Sequence, residues 1–161
     1  MEQIEIDKKF NDAVTFFKAK KYDKALPLFE DLAKLDHAGA MYYLISHPFW
    51  NWASKIDIKT RIKWLQKAAD EGITDAEYDL GACYMLGEII KADYEKAASY
   101  FLKAAEKGNV KAQVDLAFCY SKGGGVPLDY TKAAYWYGKA TAQGDSFSQD
   151  MLDALKSEGK I

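Results

Sequence analysis

Apolar residues recur every three to four positions along most of the chain, which is the spacing of one face of an α-helix. Ala97, Phe101 and Ala104 form one such stripe, in which a large ring stands between two small side chains. The same stripe returns in Ala133, Tyr137 and Ala140, and earlier in Ala25, Phe29 and Leu32. The spacing predicts helices near residues 5–19, 22–35, 38–47, 59–71, 74–86, 93–107, 110–122, 129–143 and 147–157.

The pattern also repeats with a period of 36 residues. Residues 76–111 align with residues 112–147 without a gap. Asp93 and Asp129 stand at matching positions where a helix N-cap is expected. Glycines at 72, 108 and 144 follow the second helix of each unit and favour a helix stop there. A period of this length indicates one supersecondary unit that buries its apolar face by stacking on its neighbours.

We therefore expect an all-α fold made of four helical hairpins and a C-terminal capping helix. The predicted units are about 4–39, 40–75, 76–111 and 112–147, followed by a cap at 148–161. Together they form a single repeat domain over residues 1–161, which is long enough to bury a core without metal or disulfide support.

Composition narrows the classes of partner. The 22 Lys and Arg residues against 24 Asp and Glu give a formal net charge of −2. We therefore expect no general attraction to nucleic acid or to an anionic membrane. The N-terminal residues carry charges where a secretory signal needs an apolar stretch, and no run approaches the roughly 18 apolar residues of a membrane span. A cytoplasmic location is the expectation.

A known family shares these motifs. The segments LAFCY, KGGGVPLDY, TKAAYWYGKA and TAQG within residues 112–144 resemble the Sel1-like repeat, and residues 76–108 resemble it almost as well. The likeness extends over about residues 40–147, whereas residues 9–35 are more similar to a tetratricopeptide repeat. Both families form right-handed stacks of helical hairpins, so the resemblance implies a right-handed α-solenoid. It also implies a scaffold for protein–protein contacts.

By resemblance to tetratricopeptide units, the first helix of each hairpin lines a concave surface. This alignment makes that surface rich in aromatic residues, and the candidate partner-binding residues on it are Phe10, Phe17, Tyr42, Tyr78, Met85 and Phe118. Two interpretations stay open. The rings pack on one another in a tightly curved array, or they form an open wall that accepts an extended segment or a helix of a partner.

Residues 46–53 depart from the repeat, because an aromatic run replaces the glycine-bearing turn of the other units. Phe49, Trp50 and Trp52 either cap the core of this hairpin or anchor a partner, since tryptophan is enriched among residues that dominate binding energy.

Candidate chemistry is sparse. No motif of a nucleotide-binding loop, a serine hydrolase or a zinc protease occurs, and Gly123–Gly125 is interpreted as a turn. Cys83 and Cys119 occupy one column of the repeat and are predicted to be reduced, buried and apolar in role. His47 shares that column, but successive hairpins lie too far apart for one zinc ion. No catalytic, cofactor-binding or metal site is predicted.

Acidic residues near helix ends, such as Asp75 and Glu77, are interpreted as solvated or as complementing the helix dipole. The function that these features favour is a non-enzymatic protein–protein interaction module, an adaptor or scaffold, that binds a partner protein through its concave face and residues 46–53. One alternative is a bacterial immunity protein that neutralises a cognate toxin by direct binding. A second is an enzyme or an enzyme subunit.

Overall fold

The structure, a computed structural model, describes residues 2–47 and 56–161. Over these ranges the chain forms nine α-helices and no strand. Their bounds are α1 Gln3–Lys18, α2 Tyr22–Lys34, α3 Ala38–Ser46, α4 Ile58–Asp70, α5 Thr74–Leu86, α6 Tyr94–Glu106, α7 Val110–Lys122, α8 Tyr130–Ala142 and α9 Ser146–Ser157. No bound lies more than two residues from its predicted position, so the all-α prediction is confirmed for the described part of the chain.

The chain divides into two compact units, Met1–Ile73 and Thr74–Ile161. In the first unit α1 packs on α2, and α3 packs on α2 and α4. In the second unit each helix from α5 to α8 packs on the next one along the chain. Within the described residues this gives four helical hairpins and a closing helix, as the repeat predicted. Along the same ranges, no helix combines the length and the apolar character that crossing a membrane requires.

The predicted apolar stripes are the cores of these units. Phe101 and Tyr137 are both almost completely buried, with small alanines on either side of each ring. Phe29 occupies the same position in the first unit and is also fully buried. Small residues let two helices approach closely while the ring fills the space between them, which explains why the alternation recurs with the repeat.

The repeat is also visible in the hydrogen bonds of the helix starts. The Asp93 Oδ1 accepts a hydrogen bond of 3.0 Å from the Lys96 amide, and the Asp129 Oδ1 accepts one of 2.9 Å from the Lys132 amide. Both aspartates are therefore N-caps, as predicted, and each satisfies an amide that has no partner inside its own helix. The predicted helix stops, Gly72, Gly108 and Gly144, all have positive φ angles, of 81°, 92° and 93°.

We expect Asp129→Ala to lower the free energy of unfolding by about 1 kcal/mol, because the substitution removes the side chain that caps α8. Chemical denaturation followed by circular dichroism measures this change. Asp150→Ala serves as the control, since Asp150 is exposed inside α9 and caps no helix. An equal loss of stability in both variants would show that the capping bond contributes nothing.

One charged residue lies where the sequence did not place it. Of the two interpretations of Glu77, the solvated one is wrong, because Glu77 is only 3% exposed and its Oε1 accepts a bond of 2.8 Å from the Lys107 Nζ. Its place in the first turn of α5 agrees with the other interpretation, a charge that complements the helix dipole. In the next repeat, 36 residues further on, the equivalent pair is Gln113 and Gln143, whose side-chain amides lie 2.9 Å apart. The same buried position thus holds an ion pair in one repeat and an amide pair in the next.

Candidate functional site

The second unit carries a groove between α5 and α7, with α6 at its floor. It has a volume of about 280 Å³, and we call it the α5–α7 groove. Its walls are Tyr78, Ala82, Met85, Leu86, Phe101, Asp115 and Phe118. Tyr78, Ala82 and Met85 follow one another at helical spacing, so a single face of α5 supplies one wall. The structure therefore brings three of the predicted partner-binding residues, Tyr78, Met85 and Phe118, to one place.

The rim of the groove is apolar and open to solvent. Leu86 is 67% exposed and Phe118 is 46% exposed, one on each wall. Tyr78 is half-buried instead, with its ring centroid 5.8 Å from that of Phe101 at the floor. Covering exposed apolar side chains is favourable by about 25 cal/mol for each Å² removed from water, so this rim favours contact with another apolar surface.

A carboxylate lies within this apolar surface. Asp115 is half-buried and hydrogen-bonds with the Tyr78 hydroxyl, and burial raises the pKa of the Asp115 carboxyl. Burial and then the negative charge of Asp115 raise the pKa of Tyr78 to about 12, so the tyrosine stays protonated and donates. Within the described residues, no lysine or arginine forms an ion pair with Asp115.

The Cys119 thiol, close to Asp115, is not an activated nucleophile. Burial, with a contribution from Asp115, raises the pKa of Cys119 to about 11, so Cys119 is protonated at neutral pH and is a poor nucleophile. Neither Cys83 nor Cys119 forms a disulfide within the described part of the chain. The prediction that both are buried holds for Cys119 but is wrong for Cys83, which is half-buried.

The predicted partner-binding residues of the first unit mostly contact other aromatic rings. The Phe10 ring centroid lies 4.4 Å from that of His37 and 6.0 Å from that of Tyr43. The Phe17 ring centroid lies 5.0 Å from that of Tyr43. Tyr42 and Phe10 share a concavity of about 360 Å³ within this unit. These contacts agree with the ring-packing interpretation of Phe10 and Phe17, and their role in binding a partner stays a prediction.

The remaining predicted residues, Phe49, Trp50 and Trp52, lie outside the described residues, and their role as an anchor stays a prediction. Among the residues that the structure does describe, no group of three or more His, Cys, Asp or Glu side chains is arranged to hold a metal ion.

A larger concavity, of about 510 Å³, lies elsewhere in the second unit, with Tyr135 on its edge. Two of its polar side chains, Gln113 and Gln143, already form hydrogen bonds there. The Gln113 side-chain amide donates to the Ala105 carbonyl at 3.1 Å, and the Gln143 amide donates to the Gly108 carbonyl at 3.2 Å and to the Gln113 carbonyl oxygen. Because these bonds link α6, α7 and α8, this concavity is explained by helix packing, and the α5–α7 groove is the better candidate site.

Comparison with known families assigns the repeat. The Sel1 repeat model matches residues 62–73, 74–109 and 110–145, which together are more than half of the chain. The chain belongs to the Sel1 repeat family. The α5–α7 groove is formed by the first helices of the second and third matched Sel1 repeats.

Solved structures of similar proteins support this assignment. The chain is 27% identical to c5321, a protective antigen of uropathogenic Escherichia coli that displays an SLR fold, with a TM-score of 0.76 over 96% of this chain and 34% of that one. It is also 27% identical to a Sel1 repeat protein from Oxalobacter formigenes, with a TM-score of 0.76 over 93% of this chain and 44% of that one.

A third structure, the Helicobacter pylori cysteine rich protein B, shares the fold at 24% identity and a TM-score of 0.62, over 83% of this chain and 96% of that one. The present chain thus spans less than half the length of the first two relatives and nearly all of the third. The comparison with curated proteins gives no match.

Proposed function

We propose that this Sel1 repeat chain is a non-enzymatic protein-interaction module whose α5–α7 groove receives a partner protein. The observation that carries the proposal is the pair of exposed apolar side chains, Leu86 and Phe118, on the two walls of the groove. Large exposed apolar side chains around a concave site are typical of surfaces that bind another protein. Sel1 repeat proteins generally mediate protein–protein interaction, which agrees with this proposal.

The exposed rim of the groove supports a protein partner over an enclosed metabolite. Pockets that enclose a small molecule usually measure about 300–1,000 Å³ and cover most of its surface. At about 280 Å³ and with an exposed rim, the α5–α7 groove is suited to a few side chains of a partner. Its walls belong to helices packed on a common core, so the groove is formed before binding and loses little conformational freedom when a partner docks.

Two finer roles follow from this proposal, an adaptor in a larger assembly and an immunity protein that covers a cognate toxin. A non-enzymatic role is supported by the family, since Sel1 repeat proteins are typically non-enzymatic interaction scaffolds. A cytoplasmic location is part of the same proposal. An immunity role predicts a tight one-to-one complex and rescue of growth on co-expression with the toxin, whereas an adaptor predicts weaker binding and no rescue.

Binding of the partner will test the groove directly. Proteins retained by the immobilised chain from lysate of its native host are identified by mass spectrometry, purified and titrated by calorimetry. We expect the double variant Leu86→Ser, Phe118→Ser to bind at least about tenfold more weakly, because both apolar contacts are lost. Its melting temperature should stay close to that of the unmodified protein, since both side chains are exposed.

The matched control is Phe147→Ser, since Phe147 is 52% exposed in the same unit but does not line the groove. Its affinity should equal that of the unmodified chain. Equal binding by the double variant and by the unmodified chain would refute the α5–α7 groove as the docking surface.

A further inference from the structure

Asp115 is the one groove residue that a purely apolar partner does not match. It lies on α7 three residues before Phe118, so both side chains belong to the same face of the helix. A carboxylate has about four sites that accept hydrogen bonds, and the Tyr78 hydroxyl fills one of them. Around it, Met85, Leu86 and Phe101 offer no side-chain donor, and the neighbouring Cys119 thiol is only a weak one. The groove therefore contains a carboxylate with capacity to accept further hydrogen bonds.

Docking of a partner removes water from the Asp115 carboxylate and so makes its charge matter for the affinity. A segment that covers Leu86 and Phe118 removes water from the groove and from Asp115. Removing water from a carboxylate that gains neither a hydrogen-bond donor nor a cation costs much free energy. An entirely apolar segment therefore binds the groove more weakly. An arginine or lysine side chain next to the apolar contact makes docking over Asp115 favourable, because it forms a charge-assisted hydrogen bond with the carboxylate.

Two lysines near the groove do not cancel this preference. The Lys111 Nζ lies 5.9 Å from the centroid of the Tyr78 ring, and the Lys122 Nζ lies 6.0 Å from that of Phe118. Both lysines are exposed, so water and salt screen their charges. Asp115 is half-buried, where screening is weaker and a charge contributes more to selectivity.

We propose that the α5–α7 groove selects partner segments in which a large apolar side chain adjoins an arginine or lysine, with the apolar side chain against Phe118 and Leu86 and the cation against Asp115. This inference rests on the proposed function and specifies the chemistry of the partner. A cation at this position both satisfies the carboxylate and rejects competing segments that carry an acidic or apolar residue there.

A random peptide library displayed on phage is the probe, panned against the full chain. We expect the selected peptides to be enriched in arginine or lysine beside a large apolar residue. Each selected peptide is then synthesised with its basic residue and with norleucine in its place. On the unmodified chain, calorimetry should show that norleucine weakens binding by about tenfold. On Asp115→Asn, the two peptides should bind equally well.

Asp115→Asn keeps the shape of the side chain and still accepts a bond from the Tyr78 hydroxyl. Folding of this variant is monitored by its melting temperature. Because burial raises the pKa of Asp115 in the folded state, its ionised form costs stability above that pKa, and the variant should melt no lower than the unmodified chain at neutral pH.

The outcomes separate this inference from the proposed function. Peptides that lose binding to the Leu86→Ser, Phe118→Ser variant but show no basic preference overturn the inference and leave the groove as the docking surface. The same holds if norleucine peptides bind the unmodified chain as tightly as the basic ones. If no selected peptide depends on Leu86 and Phe118, both proposals are refuted.

Discussion

Gly125→Ala is expected to lower the free energy of unfolding of the second unit by about 3 kcal/mol or more. Gly125 lies between α7 and α8 with a φ of +75°, which a residue with a Cβ adopts only at a cost. An added Cβ would also lie 1.9 Å from the Tyr94 carbonyl oxygen at the start of α6. Since the obstacle is backbone, no side-chain rotation relieves it. Urea denaturation followed by circular dichroism measures the loss.

The adjacent glycine provides the control. A Cβ on Gly124 would meet no heavy atom within 4 Å, so Gly124→Ala should change stability by no more than about 0.5 kcal/mol. Equal stability of the two variants would show that the connection between α7 and α8 does not pack against α6 as the structure has it.

Lys107→Ala is expected to lower the free energy of unfolding by about 2 kcal/mol. The substitution leaves the buried Glu77 carboxylate without its cation, and breaking a buried ion pair usually costs about 3–5 kcal/mol. We expect less here because the Lys107 side chain is 40% exposed, so solvent already weakens the pair. Thermal and urea denaturation of the purified variant measure the effect.

The chain itself supplies the compensating substitution. In the next repeat, Gln113 and Gln143 occupy the positions of Glu77 and Lys107 and hydrogen-bond with each other. The double variant Glu77→Gln, Lys107→Gln should therefore recover most of the stability that Lys107→Ala loses. If the double variant is as unstable as the single one, the loss comes from the packing of the lysine side chain and not from its charge.

Most of the fold follows from the spacing of the sequence. The stripe of Phe101 with its alanines predicted a buried helical face, and the caps Asp93 and Asp129 predicted where α6 and α8 begin. These features depend on residues a few positions apart, so local chemistry decides them. The resemblance to tetratricopeptide units implied that Tyr78, Met85 and Phe118 lie on one surface, and in the structure they line one groove.

The depth of burial depends on neighbours that spacing does not reveal. Phe10 and Phe17 have the same helical positions as groove residues of the second unit, yet their rings contact Tyr43 and other aromatic side chains of the first unit. The repeat predicts which face of a helix a ring occupies. Whether another ring covers it depends on side chains from other helices.

The polar residues of the core were harder to predict. Charged side chains are mostly exposed, so the burial of Glu77 was not expected and half-buried Asp115 was not singled out from the sequence. A signal was present in the repeat, because Asp79 and Asp115 share one column inside an apolar run. Glu77 and Gln113 share another, as do Lys107 and Gln143. Polar residues that recur in the column of a packed helix indicate pairing between helices.

Mapping a bound peptide on the isotopically labelled chain by NMR tests most directly whether a partner docks in the α5–α7 groove. If the peptide docks there, we expect that adding a peptide selected from the library shifts the amide signals of residues 78–86 and 115–118 most strongly. Strong shifts confined to the surface around Tyr135 and Gln143, with residues 78–86 and 115–118 unchanged, would contradict it.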